Sequence, residues 1–395
     1  MCARFSRQPV VGHAELPPTA QLPAPPAGAP DRSVTSIHHR SPAIDSVAWR
    51  SELRRAVLAA VAEFVATRSA SQLDESSSAA AGEILLAFVS SGKCLRSTFM
   101  YLGWLCGAEP SAAALSAAAS LELLHAFALV QDDVMDRSAQ RRGRPAVHVQ
   151  LAEWYRHRGM SGSADRFGES AAILLGDVCL IWAEQMLRES GVAPRRLQQL
   201  WPRYDAMRIE LAVGQFADLA NDIRDLPPLR TVLDIARRKS GNYTVRRPLE
   251  MGAAMADCDD RALAQLGLYG SDVGEAFQLR DDLLGVFGPS ATTGKPNGGD
   301  LVERKATSVV VAAHEMADPP ARRELAAFAR ADELDGAALD RLRTLIIATG
   351  AAQRIEDMIW RRIERARKIL DHIAIDDTAR AALGHLADAC VERST

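Results

Sequence analysis

Strict alternation of apolar and polar residues, the mark of half-buried strands, is essentially missing from this 395-residue sequence, which argues against a β or α/β architecture. No long run of Lys or Arg occurs and the net charge is −3, so there is no footprint for a nucleic acid. The six cysteines (Cys2, Cys94, Cys106, Cys179, Cys258 and Cys390) include no CxxC or other zinc spacing. Several sit in apolar helical surroundings where free thiols are common, and a reducing cytoplasm is the simplest compartment. The N-terminus has no apolar signal-peptide core, and no stretch approaches 18 uninterrupted apolar residues. No integral membrane segment is therefore expected, and any lipid would be handled from solution or from a membrane periphery.

What is present is helical periodicity. Apolar residues make up 48% of the chain, enough for a sizeable core. Segments such as RAVLAAVAEFVATR, SAAALSAAASLELLHAFALV, ESAAILLGDVCLIWAEQML and DVGEAFQLRDDLLGVF repeat them at i, i+3, i+4. Turn-rich breaks fall at 160–168, 225–230 and 288–300. Residues 1–44, with QLPAPPAGAP at their centre, have the composition of a disordered leader. Residues 45–395 read as one all-α domain, with loops at its functional end.

Two of these helices end in acid. In LELLHAFALVQDDVMD the stripe Leu121, Leu124, Ala128 continues through Asp132 and Asp136, so the carboxylates extend the inward face. Burying charge costs several kcal/mol (about 3–5 for a broken pair) unless it is compensated, and a cation is the obvious compensator. The second such motif, FQLRDDLLGVF, sets Asp281 and Asp282 one turn after Phe277 and Gln278. Facing each other, the helices would gather Asp132, Asp133, Asp136, Asp281 and Asp282, an oxygen-only set that suits Mg²⁺ better than zinc. Mg²⁺ completes its shell with water and substrate phosphates, which implies a phosphorylated ligand. Lys93, Arg96, Arg141, Arg142, Lys239, Lys295 and Lys305 flank these motifs, and such side chains are the usual partners of diphosphate oxygens.

Taken in order, GKxLR, DDxxD followed by RRGxP, GDxxL, GQxxDL (Gly214, Gln215, Asp218, Leu219), KSGxY, FQxxDD and GKPxxxDLxxxK resemble the all-trans polyprenyl diphosphate synthase family over about residues 85–310, and its actinobacterial members most. The resemblance implies an antiparallel helical bundle of the isoprenoid synthase type with a central active-site cavity. It implies that Asp132, Asp136 and Asp281 ligate Mg²⁺, three ions per site, with Asp133 and Asp282 in support. Arg141, Lys239 and Lys305 would hold an allylic diphosphate, with Lys295 closing over it. Lys93, Arg96, His125 and Arg142 would hold isopentenyl diphosphate. Ser240, Tyr243 and Gln278 would line the reacting carbon. A homodimer is the common assembly.

The sequence departs from the pattern at Cys94 and Ser97, at Gln131, at Arg304, and at Gly285, where a full second motif has its last Asp. Product length should depend on what blocks the tunnel running back from Asp132. Leu124, Phe127 and Ala128 are the candidates, with Phe127, five residues before the motif, resembling the arrangement that yields C20 products. Geranylgeranyl diphosphate is the expected product, farnesyl diphosphate the alternative. A class I terpene cyclase needs a second motif like NDxxSxxxE, and NDIRDLPPL fails it at Asp225 and Leu229. A regulatory subunit would have lost metal-motif aspartates, whereas here the first motif is intact.

Overall fold

The computed structural model describes residues 46–73, 79–220, 226–288, 298–331 and 334–392. The leader expected over 1–44 and Lys295 lie outside them. In chain order the helices are α1 (Ser46–Gln72), α2 (Ala79–Val89), α3 (Leu95–Leu105), α4 (Ala112–Met135), α5 (Val147–His157), α6 (Ala164–Arg188), α7 (Pro194–Leu219) and α8 (Leu229–Ala236). A π-helical stretch (Arg237–Arg246) leads into α9 (Arg247–Met255), then α10 (Asp260–Phe287), α11 (Gly299–Val302), α12 (Ser308–Met316), α13 (Pro319–Arg330), α14 (Gly336–Ala348), α15 (Ala351–His372) and α16 (Asp377–Val391).

The two acid-bearing helices are the central ones. Ser111 starts α4 by accepting from the Ala114 N–H, and Asp259 does the same for α10 through Ala262. From there each helix buries apolar side chains on nearly every side, Leu121 and Leu124 in α4 and Val273, Ala276 and Leu283 in α10. α4 packs on α6, α3 on α9, and α10 on both α15 and the π-helical stretch. α4 and α6 are long and apolar enough, by length and composition, to cross a membrane. The expectation above counted only uninterrupted runs. Here the apolar window of α4 is 67% buried inside the fold, so its hydrophobicity serves the core.

Two local features were not expected from the helical pattern. Gln140–Arg141 and Arg144–Pro145 form a minimal antiparallel hairpin, with Arg142 at φ 54° and Gly143 at φ 72° in its turn. Two successive left-handed residues are what a two-residue hairpin turn demands. The second feature is the π-helical stretch itself. Pro248, just beyond it, falls in the first turn of α9, where a proline is tolerated.

Candidate active site

A cavity of about 390 Å³ lies between α4 and α10 and is bordered by the π-helical stretch. Its wall contains Lys93, Arg96, His125, Ala128, Asp132, Arg141, Lys239, Ser240, Tyr243, Gln278, Asp281 and Asp282, all singled out from the sequence. Leu129, Leu211, Gln215, Leu284, Gly285 and Asp300 complete it.

Cations and acids alternate around this wall. The hairpin turns Arg141 back under the end of α4, where its Nε donates to Asp133 Oδ1 at 2.9 Å and a terminal nitrogen reaches Asp132 Oδ2 at 3.2 Å. Lys239 Nζ donates to Asp218 at 2.6 Å and stands 3.4 Å from Asp132. Burial pulls the Lys239 ammonium down, but Asp132 and Asp218 outweigh it and the pKa rises. The GQxxDL motif thereby acquires a purpose. A Cβ on Gly214 would meet the Lys239 backbone nitrogen at 2.7 Å, so only glycine lets α7 approach this closely, and Asp218 one turn later grips the lysine.

The second carboxylate of each motif serves its support. Asp133 is 1% exposed and its Oδ2 makes no hydrogen bond among the described residues. Asp282, 6% exposed, accepts from Gln278 Nε2 at 2.8 Å and from the Ser308 N–H at 3.0 Å and hydroxyl at 2.6 Å. Burial raises the pKa of both, against the opposing hydrogen bonds of Arg141 and of Ser308 with Gln278.

Across the cavity, the Arg96 guanidinium lies 4.2 Å from the centre of the Tyr243 ring and donates to Thr244 Oγ1 at 3.0 Å. Arg96 Nε, His125 Nδ1 and Tyr243 Oη are buried without a hydrogen-bond partner among the described residues. Such atoms leave this wall ready for a polar ligand or for water. Burial, then the charges of Arg96, Arg142 and Arg141, holds the His125 imidazole well below its ordinary range, so it is neutral at pH 7 and not a further cation.

Some residues stand apart from this wall. Arg142 turns away and donates to the carbonyls of Ser91 and Phe88, clamping with Arg54 the turn before Lys93. Lys305 bonds Asp136 at 2.8 Å and Glu303 at 3.0 Å, one turn out from Asp132. Leu124 is wholly in the core, whereas Phe127 lines an adjoining groove. The departures also find partners. Ser97 donates to buried Glu122 at 2.8 Å, and Gln131 reaches across to the Ile173 carbonyl at 3.3 Å and Asp177 at 3.5 Å. Arg304 adopts φ 56°, a conformation that suits the glycine often found there.

The oxygen-only acidic set fits a hard divalent cation. Among the described residues no three His, Cys, Asp or Glu side chains converge on one point, so diphosphate oxygens and water would fill the remaining positions, as is usual for Mg²⁺.

The groove, about 770 Å³, shares Ala128, Asp132, Leu211 and Gln215 with the charged cavity and runs along α7 past Phe127, Met135, Leu180, Ile209 and Phe216.

Residues 79–346 match the family model described as polyprenyl synthetase. A geranylfarnesyl diphosphate synthase of Aeropyrum pernix is 32% identical over 320 residues, 79% of this chain and 93% of that protein. A geranylgeranyl diphosphate synthase of Mycobacterium tuberculosis is 34% identical over 277 residues, 68% of this chain and 72% of that one. The crystal structure of geranylgeranyl pyrophosphate synthase from Corynebacterium glutamicum, complexed with isoprenyl diphosphate and magnesium, gives a TM-score of 0.82 at 33% identity, covering 87% of this chain and 99% of that one. The family match spans the whole cavity, from Lys93 to Asp300, and the chain belongs to the polyprenyl synthetase family.

Proposed function

We propose that this polyprenyl synthetase is a Mg²⁺-dependent prenyltransferase that condenses isopentenyl diphosphate with dimethylallyl, geranyl and farnesyl diphosphates and stops at geranylgeranyl diphosphate. One juxtaposition carries the reading. A cavity lined by cations and carboxylates opens directly onto an apolar groove, and an amphiphile with a diphosphate head and a hydrocarbon tail matches both halves.

Asp132, Asp136 and Asp281 would hold the metal, three ions by family resemblance, with Asp133 and Asp282 orienting their neighbours. Mg²⁺ bound there supplies positive charge to the leaving diphosphate. Arg141, Lys239 and Lys305 bind that diphosphate from the protein side, already fixed in place by Asp133, Asp218 and Asp136. Lys93 and Arg96 hold isopentenyl diphosphate, His125 contributes as a neutral hydrogen-bonding group, and Arg142 acts through the turn it clamps. The allylic C–O bond breaks with its electron pair leaving on the diphosphate, the isopentenyl double bond attacks the resulting cation from near-attack distance, and a proton passed to the released diphosphate leaves a product five carbons longer.

Water has to be kept from that cation. The groove is open along α7, where Ile209 is 63% and Phe216 77% exposed, and Leu174 and Ile181 extend the apolar face onto α6. A second copy of the chain covering this face is the assembly we propose, since a patch of this kind marks an interaction site. The five described cysteines are free thiols, which supports a cytoplasmic setting.

The test is transfer of labelled isopentenyl diphosphate onto each allylic primer, with and without EDTA, alongside light scattering of the purified protein. Mg²⁺-dependent elongation by a dimer is expected. Elongation unaffected by EDTA refutes the metal role, and a monomer refutes the assembly.

A further inference from the structure

The π-helical stretch carries three of the residues that face the charged cavity, Lys239, Ser240 and Tyr243. Bonding of the i→i+5 kind is rare and mostly confined to a single turn, yet here it runs for ten residues. Relaxation to ordinary helix would wind the backbone tighter and swing Ser240 and Tyr243 round relative to Lys239. Contacts from outside the stretch therefore have to hold its register.

The hold comes from one face of α7. Glu210, Gly214 and Asp218 follow one another at i, i+4 and i+8 and so share that face. Asp218 grips Lys239, and Gly214 lets the two backbones close. Glu210 takes the other end. Its Oε2 accepts from Asn242 Nδ2 at 3.0 Å and from Arg247 Nε at 3.1 Å, and its Oε1 receives a second nitrogen of the same guanidinium. One half-buried carboxylate thus ties together Asn242, between Ser240 and Tyr243, and Arg247, the first residue of α9. Asn242 is buried, so loss of Glu210 would strand its amide donors. The stretch also rests on α10, where a Cβ on Gly241 would meet the Gly274 carbonyl carbon at 3.0 Å and one on Gly270 would meet the Arg246 Cα at 2.7 Å. Steric contact of that kind limits distance, whereas a bidentate fork also fixes direction.

We propose that Glu210 is a positioning residue for prenyl transfer: through Asn242 and Arg247 it fixes the π-helical register that presents Ser240 and Tyr243 to the cavity beside Lys239. This rests on the prenyltransferase reading above. Glu210 does not line the cavity itself, and it acts only through the backbone it holds. Arg247 keeps Glu250 at 2.7 Å as a second partner, so removing Glu210 releases the register without leaving that guanidinium unpaired.

The test is steady-state kinetics of the full chain with geranyl and isopentenyl diphosphates and Mg²⁺, for wild type, Glu210→Ala, Glu210→Gln, Asn242→Ala and the double variant Glu210→Ala/Asn242→Ala. Melting temperatures confirm folding, and equilibrium binding of geranyl thiolodiphosphate counts the competent sites. For Glu210→Ala, kcat per site is expected to fall by about 10- to 100-fold, while KM for geranyl diphosphate changes little because Asp218 still grips Lys239. Glu210→Gln keeps one acceptor oxygen and should recover part of that loss. The double variant should be no slower than Glu210→Ala within about twofold, since both changes break the same link. Wild-type kcat per site in a folded Glu210→Ala overturns the proposal, and Glu210→Gln is read in the same way if the alanine variant does not fold. A raised KM with unchanged kcat overturns it as well, as do losses that multiply in the double variant. A wild-type chain that transfers no prenyl group refutes the prenyltransferase reading itself, and this proposal with it.

Discussion

Arg141→Met should leave Asp133 as a buried charge without its hydrogen-bonded counter-ion. In the native chain Asp133 is 1% exposed, receives Arg141 Nε at 2.9 Å, and has no second donor for its other oxygen among the described residues. Breaking a buried pair by removing one partner costs about 3–5 kcal/mol. Burial already raises the Asp133 pKa while Arg141 holds it back, so the variant should raise it further. The folded variant then keeps a proton that the unfolded chain gives up, and stability is lost as pH rises through the folded value. Urea unfolding at fixed protein concentration should therefore show a loss of about 3–5 kcal/mol at pH 8 and a smaller loss at pH 5.5. The double variant Arg141→Met/Asp133→Leu should recover stability without recovering prenyl transfer, because an apolar replacement of a buried pair is often neutral. A loss below about 1 kcal/mol at pH 8, or one equal at both pH values, would refute the reasoning.

Phe127→Ala removes an aromatic wall from the groove, about 7–8 Å along the helix axis from Asp132, and should lengthen the dominant product by one or two five-carbon units, read by chromatography; an unchanged product removes Phe127 as the ruler. His125 is held neutral, so the unfolded chain takes up a proton below about pH 6.5 that the folded chain refuses, and stability should fall on acidification from there. His125→Gln should flatten that dependence, seen as melting temperatures at pH 7.5 and pH 5. Gly214→Ala forces a methyl to 2.7 Å from the Lys239 backbone and should cost about 1–3 kcal/mol while lowering kcat/KM for the allylic substrate, through displacement of Lys239.

Much of this molecule was legible as sequence, for physical reasons. Helices announce themselves by period, and the acidic helices by a period that runs on through carboxylates, so Asp132 and Asp281 could be placed on facing walls before any coordinates. Lys239, Ser240 and Tyr243 were found through KSGNY. Their geometry was not legible, because nothing in the local pattern separates the π-helical stretch from ordinary helix. Arg142 shows a second limit. Two adjacent arginines in QRRGRP look equivalent, and only the hairpin turn sends one to Asp133 and the other to the Ser91 carbonyl. The hardest to see were pairs made across long stretches of chain, Lys305 with Asp136 among them, since no local pattern encodes a contact closed by tertiary packing.

The central claim is that a diphosphate site at the head of an apolar groove builds a prenyl chain of defined length. Purified protein with Mg²⁺ and labelled isopentenyl diphosphate, primed in turn with dimethylallyl, geranyl and farnesyl diphosphate, tests it most directly. A dominant C20 product from all three primers is expected. A stop at C15 or growth well past C20 would contradict the length assignment, and no elongation from any primer would contradict the claim as a whole.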